Sequence, residues 1–138
     1  EEIEVATLAT PISAAVVHES PSVVKVVLDQ NSDALYFSRS PIPSSSHSRE
    51  GAPSPMQAAR RHVGVYAFRP EALVRFCDLP VGLIEQTENL EQLRWLEAGH
   101  KMRVQPARRA ARGIDTRTDY EAFVARWTGA LKGQPSSQ

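Results

Sequence analysis

Several absences narrow what this sequence can be. One cysteine, Cys77, stands among 138 residues, which excludes an intramolecular disulfide framework and fits a reducing compartment. It closes the run Leu73-Val74-Arg75-Phe76-Cys77, where a small packed side chain is expected in preference to a nucleophile. Charge of one sign is not in excess: 16 basic residues balance 16 acidic ones. No global field therefore draws in a nucleic acid or an anionic membrane, and ligand recognition has to be local. No apolar run approaches the ~20 residues needed to span a bilayer, and no signal-peptide pattern opens the sequence, so a cytoplasmic protein is expected. His18, His47 and His100 lack the spacing of a zinc site and are expected on the surface. Arg103, Arg108, Arg109 and Arg112 come without interleaved aromatics, which predicts a solvated edge and no nucleic-acid patch. Internal repeats are missing too. So is an initiator methionine, and Glu1 to Leu8 reads like the middle of a domain with an upstream half before it.

What is present describes an ordinary folded chain. Apolar residues make up 41% and charged residues 23%, values that fit a globular domain and argue against disorder. One domain over residues 1–132 is expected, followed by a fraying tail at 133–138. Val5-Ala6-Thr7-Leu8-Ala9, stopped by Pro11, has the length of a buried strand. Val23 to Leu28 is rich in β-branched residues, and Gln30-Asn31-Ser32-Asp33 supplies a turn before Ala34-Leu35-Tyr36-Phe37, which together predict a β-hairpin. Ser38 to Pro55 turns to Ser, Pro, Gly, His and Arg and reads as a mobile surface loop. His62 to Phe68 is a strand whose period of two places His62, Gly64, Tyr66 and Phe68 on one face. Pro70 opens a short helix. A longer helix is predicted from about Leu83 to Ala98, with Leu83, Leu90, Leu93 and Leu96 as its stripe and Gly99 as its stop. Met102-Arg103-Val104 is a further strand, and Asp119 to Leu131 a terminal helix anchored by Phe123, Val124 and Trp127. Strands interleaved with helices, and a hairpin among them, predict an α/β fold with a mixed sheet.

The order of these segments carries a resemblance. Val24-Lys25-Val26-Val27-Leu28-Asp29 followed by Ala34-Leu35-Tyr36-Phe37-Ser38-Arg39-Ser40-Pro41-Ile42-Pro43 resembles the hairpin of the CMP-KDO synthetases, the 3-deoxy-manno-octulosonate cytidylyltransferases. Arg61-His62-Val63-Gly64-Val65-Tyr66-Ala67-Phe68-Arg69, Glu88-Asn89-Leu90-Glu91-Gln92-Leu93-Arg94-Trp95-Leu96-Glu97-Ala98-Gly99 and Gly113-Ile114-Asp115-Thr116 are similar to that family's next three signatures. The likeness covers nearly all of residues 4 to 128, and it implies the C-terminal portion of a Rossmann-like nucleotidyltransferase fold. Two departures stand out. The family's glycine- and arginine-containing phosphate loop has no counterpart here, and Ser44-Ser45-Ser46-His47-Ser48-Arg49-Glu50 replaces the larger or more charged residues usual after the proline pair.

What the resemblance implies about the site can be set beside the plainer readings. It places Arg39, His62, Tyr66, Glu91 and Gln92 at the sugar and makes Asp115 a magnesium ligand. Arg39 has the planar fork that grips a carboxylate, although a solvated strand-end arginine is the commoner explanation of such a residue alone. His62 and Tyr66 lie four residues apart, which on a regular strand is ~13 Å at ~3.3 Å per residue, a span suited to two groups of an extended substrate or to two residues satisfied at a sheet surface. Glu91 and Gln92 can accept from sugar hydroxyls, and ordinary helix solvation would explain an isolated pair equally. Asp115 can ligate Mg2+ or cap the following helix.

The implied reaction joins CTP to 3-deoxy-D-manno-octulosonate (KDO), giving CMP-KDO and pyrophosphate for lipopolysaccharide biosynthesis, in a homodimer. This chain alone is expected to be inactive. The alternative is a noncatalytic sugar-binding or dimerisation remnant.

Overall fold

A computed structural model describes residues 2–108 and 117–132, so Asp115, Gly113, Arg109 and Arg112 lie outside the described residues. Five strands fall in one sheet among the described residues: β1 (Val5–Pro11), β2 (Lys25–Leu28), β3 (Ala34–Ser38), β4 (Ala59–Phe68) and β5 (Arg103–Pro106). Around them run α1 (Ala15–Glu19), α2 (Pro55–Ala58), α3 (Pro70–Asp78), α4 (Leu83–Glu88), α5 (Gln92–Glu97) and α6 (Arg117–Lys132). The sheet order is β3-β2-β4-β1-β5. β1 and β5 are parallel and every other pair is antiparallel, which is the expected mixed sheet. The predicted hairpin is β2–β3, with Val26 opposite Phe37.

β1 shows why the core lies where it does. Its alternation buries Val5, Thr7 and Ala9 on one face, where Val5 and Ala9 join a core of Val26, Phe37 and Val104 from the sheet, Met102 just before β5, Ala72, Leu93 and Trp95 from the helices, and Leu90 from the turn between α4 and α5. Thr7 and Lys25 are among the polar residues buried in the chain. Thr7 is on the core-facing row of β1, and Lys25 opens β2 with no exposed surface. Buried lysine is tolerated because all three of its protons are used: Nζ donates to the carbonyls of Ser20 (2.9 Å), Val23 (2.7 Å) and Arg39. Burial pushes its pKa down, and nearby Glu88 partly opposes that.

The helix expected over 83–98 is two helices. Asn89 takes the left-handed conformation at φ 53° and ψ 53°, which asparagine tolerates better than most residues, and the chain turns there. The turn lets α5 fold back on α4. Glu97 then accepts from the amides of Leu83 (3.1 Å) and Ile84 (3.2 Å), supplying the N-terminal cap that the α4 sequence does not. Arg94 closes the pair with a two-pronged bond to Glu85 at 2.7 and 2.6 Å. Leu83 consequently leaves the apolar stripe and stands 77% exposed, whereas Leu90 and Leu93 are buried. Gly99, at φ +84°, ends α5 as expected.

Other expectations are corrected. Cys77 is exposed: Ala72 and Phe76 take the inward face of α3, and Cys77, one residue on from Phe76, turns outward. His18 is buried, its Nε2 bonded to the Ile42 carbonyl at 2.9 Å, which ties α1 to the segment after β3. Arg103 is no solvated edge residue, since its Nε meets Asp33 Oδ1 at 2.7 Å. Phe123, Val124 and Trp127, expected to anchor α6, are exposed together with Tyr120, because the helix sets this stripe against nothing among the described residues.

Candidate functional site

The site grows from an irregularity in β4. Along β1 the pairing runs Val5 to Phe68, Ala6 to Ala67 and Thr7 to Tyr66, then jumps so that Leu8 faces Val63. Gly64 and Val65 are thus accommodated as a bulge. On an uninterrupted strand His62 and Tyr66 would lie far apart, as the sequence leads one to expect. The bulge instead brings their rings to 5.5 Å between centroids. Phe37 meets His62 edge-on at 4.8 Å, Tyr66 continues to Phe68 at 6.3 Å, and Phe68 in turn meets Phe76 at 5.5 Å.

Three of these rings, Tyr66, Phe68 and Phe76, line a small cavity of about 140 Å³ together with Glu91 and Gln92, and His62 packs against Tyr66 beside it. Apolar walls with a few convergent polar groups are the usual make-up of a small-ligand site. The αL turn at Asn89 sets the start of α5 against this cavity, which is how Glu91 and Gln92 arrive there. Gln92 is 4% exposed, and its Nε2 has no hydrogen-bond partner. A buried amide donor left unpaired costs about 1–3 kcal/mol. Burial, seconded by the Glu91 carboxylate, raises the Tyr66 phenol above its ordinary range and keeps it a donor. Burial pushes His62 down to about 4, so the imidazole is neutral near neutral pH.

Arg39 reaches this region from β3. Its Nε, Nη1 and Nη2 donate to the carbonyls of Glu88 (3.1 Å), Pro21 (3.3 Å) and Asn89 (3.4 Å). The guanidinium therefore clasps the α4–α5 turn just ahead of Glu91, with two of its five N–H groups still to offer. The structure brings Tyr66, Glu91 and Gln92 to one cavity, sets His62 against the Tyr66 ring, and joins Arg39 to the region through the Glu88–Asn89 backbone.

Sequence reasoning missed Glu88, Lys25 and Thr7. Glu88 accepts from Ser38 Oγ at 2.6 Å, the Arg39 amide at 2.9 Å and Tyr36 Oη at 3.4 Å, fastening the hairpin to α4. Its burial, which raises the carboxyl pKa, is outweighed by these bonds and the nearby Arg39, and the net direction is down. The signal that could have found Lys25 was its own position, a lone charge in a run of valines. Among the described residues no group of three or more His, Cys, Asp or Glu side chains is placed to hold a metal ion.

Fold and site together define an α/β protein with a small, partly apolar cavity against a mixed sheet. A family model described as cytidylyltransferase matches residues 1–103, and the chain belongs to that family. It is 49% identical over 119 residues to the 3-deoxy-manno-octulosonate cytidylyltransferase of Anaeromyxobacter sp. (strain Fw109-5), covering 86% of this chain and 46% of the relative. The protein of the same name from Porphyromonas gingivalis (strain ATCC BAA-308 / W83) is 42% identical over 127 residues, covering 90% and 50%. A solved structure of CMP:2-keto-3-deoxy-manno-octonic acid synthetase complexed with CTP superposes with a TM-score of 0.79 at 41% identity, over 93% of this chain and 50% of that one. The chain spans about half the length of the curated relatives it matches.

Proposed function

We propose that this chain carries the sugar-acid side of a cytidylyltransferase that moves CMP from CTP to KDO and releases pyrophosphate. The observation that carries the reading is the buried, unpaired amide of Gln92, a residue that lines a cavity of about 140 Å³ with Glu91 and Tyr66. A donor held dry and unbonded is matched by a ligand oxygen, and a polyhydroxylated acid offers several. Relatives named for this reaction, 42% and 49% identical, support the substrate assignment.

In this reading Gln92 donates to a sugar oxygen, Glu91 accepts from a sugar hydroxyl, Tyr66 donates through its phenol, and His62 contributes a neutral imidazole. Arg39 holds the α4–α5 turn and offers its remaining N–H groups to the carboxylate of the acid. The hydroxyl of KDO attacks the α-phosphorus of CTP, and the pyrophosphate leaves. Residues of this chain orient the sugar for that attack, where positioning supplies much of the rate. Magnesium enters the reading through Asp115. Among the described residues no group of three or more His, Cys, Asp or Glu side chains is placed to hold it.

The protein is read as cytoplasmic, and no helix among the described residues is long and apolar enough to cross a membrane. Self-association as a homodimer belongs to the same reading. It is supported by the exposed Tyr120, Phe123, Val124 and Trp127 on α6, and sedimentation velocity showing a monomer at micromolar concentration would refute it.

Calorimetric titration of the 138-residue chain with KDO tests the site. Binding is expected in the native chain and is expected to weaken at least tenfold in Gln92→Leu. Gln92→Leu should at the same time raise the unliganded chain's stability by about 1 kcal/mol, because it removes an unpaired buried donor. Equal KDO binding by both chains would overturn the reading.

A further inference from the structure

Thr7 lies on the core-facing row of β1, 1% exposed, at the last residue before the register jumps. Its hydroxyl has one proton to give and lone pairs to accept with. Three groups surround the oxygen: the Val65 carbonyl at 2.8 Å, the Val63 carbonyl at 3.4 Å and His62 Nε2 at 2.8 Å. Carbonyls only accept, so the single proton goes to the short Val65 contact. The His62 nitrogen must then be the donor, because giving the proton to it instead would leave two bare oxygens facing each other at 2.8 Å. That arrangement leaves Nδ1 with the lone pair and with no protein partner among the described residues.

We infer that Thr7 is a positioning residue that holds His62 as its Nε2–H tautomer and pins the β4 bulge at Val65, so that Nδ1 is presented as an acceptor for a hydroxyl of the sugar. This rests on the sugar-site reading proposed above. Chemically it divides the labour in the pocket. Gln92 Nε2 is a donor, and His62 Nδ1 can only accept, so His62 selects for a hydroxyl and rejects a carboxylate at its position. The same hydroxyl does two jobs: the bond to Val65 holds the bulge that swings Tyr66 beside His62, and the bond to Nε2 sets which imidazole nitrogen is left to accept. The neutral imidazole that burial maintains is the form this requires.

Histidine nitrogen NMR on the labelled chain near neutral pH, in the native form and in Thr7→Val and Thr7→Ser, tests this. The native chain is expected to show an Nε2-bound proton protected from exchange and an unprotonated Nδ1. Thr7→Ser, which keeps the hydroxyl, should retain both signatures. Thr7→Val should lose the protected proton, with its nitrogen shifts drawn toward the averaged values of a free imidazole, and should weaken the Tyr66–His62 ring contact. A native Nδ1–H tautomer overturns the proposal by itself, even if Thr7→Val does not fold. So does a folded Thr7→Val with the protected proton and nitrogen shifts unchanged. Titrating KDO into the native chain separates the two layers. Movement of both the Gln92 amide and His62 Nδ1 supports the whole proposal. Movement of Gln92 alone refutes the acceptor role, and movement of neither refutes the sugar-site reading while the unliganded spectra still decide the role of Thr7.

Discussion

His62 combines a neutral ring with a fixed neighbour, and the consequence can be read in stability. Its ordinary pKa of 6.5 is pushed down to about 4 in the folded chain by burial. The unfolded chain therefore binds a proton that the native chain refuses between those two values. Where the unfolded state holds more protons, stability rises with pH. The native state should be unaffected by His62 above about pH 6.5, lose stability steadily as pH falls toward about 4, and show no further effect of this group below that. We expect the urea midpoint to drop between about pH 7 and about pH 5 more steeply in the native chain than in His62→Gln, which cannot take up a proton there. Parallel slopes would mean that the ring titrates normally. Much of the site at this scale was legible only as residue types in blocks. Tyr66, Glu91 and Gln92 could be named from the sequence, whereas Thr7 looked like one more small residue in an apolar strand. Its importance depends on which carbonyls a bulge presents to it, and no pattern along the chain encodes that.

The α4–α5 pair shows how elements depend on one another where their own sequences fall short. Gly82 precedes α4 without a side chain to cap it, and a Cβ added there would stand 1.9 Å from the Glu97 carboxylate that does the capping. Gly82→Ala should therefore displace Glu97, an easy movement for the end of a flexible side chain, and forfeit the cap at a cost of about 1 kcal/mol. Glu97→Ala should cost about the same. The double variant should cost little more than either, because both remove one interaction. Urea unfolding of the three variants measures this, and additive losses would show that Gly82 acts independently of Glu97. The hairpin, β1, β4, α3 and β5 could all be foreseen, because β-branched runs, turn residues and Pro70 are local signals. The break at Asn89 could not, since Leu90 and Leu93 keep helical spacing with the residues before them and only the folding back of α5 onto α4 selects the left-handed turn. The β4 bulge was hidden for a similar reason: period two continues through Gly64 and Val65 in the sequence, and only the partner strand skips them.

For the molecule as a whole, the relevant fact is that the chain matches 46% to 50% of the length of its relatives. On the proposed reading this chain positions a sugar acid, whereas the proposed reaction also needs a triphosphate held in line with its charge neutralised. Among the described residues no strand is followed by a glycine-rich loop suited to cradling phosphates, and Gly51-Ala52-Pro53 lies in the exposed stretch between β3 and α2. Holding one substrate without the other forfeits the advantage of orientation, which is worth about 7–11 kcal/mol of barrier in favourable cases. The 138-residue chain, mixed with CTP, KDO and magnesium, should release no pyrophosphate above background even while it binds KDO in the calorimeter. Supplying the complementary half of a relative should restore turnover only if the two pieces rebuild one sheet, so the Gly82→Ala and Thr7→Val chains should complement less well than the native one. Pyrophosphate release by the purified chain alone, at a rate that scales with its concentration, would overturn this division of labour and place a nucleotide site within these residues.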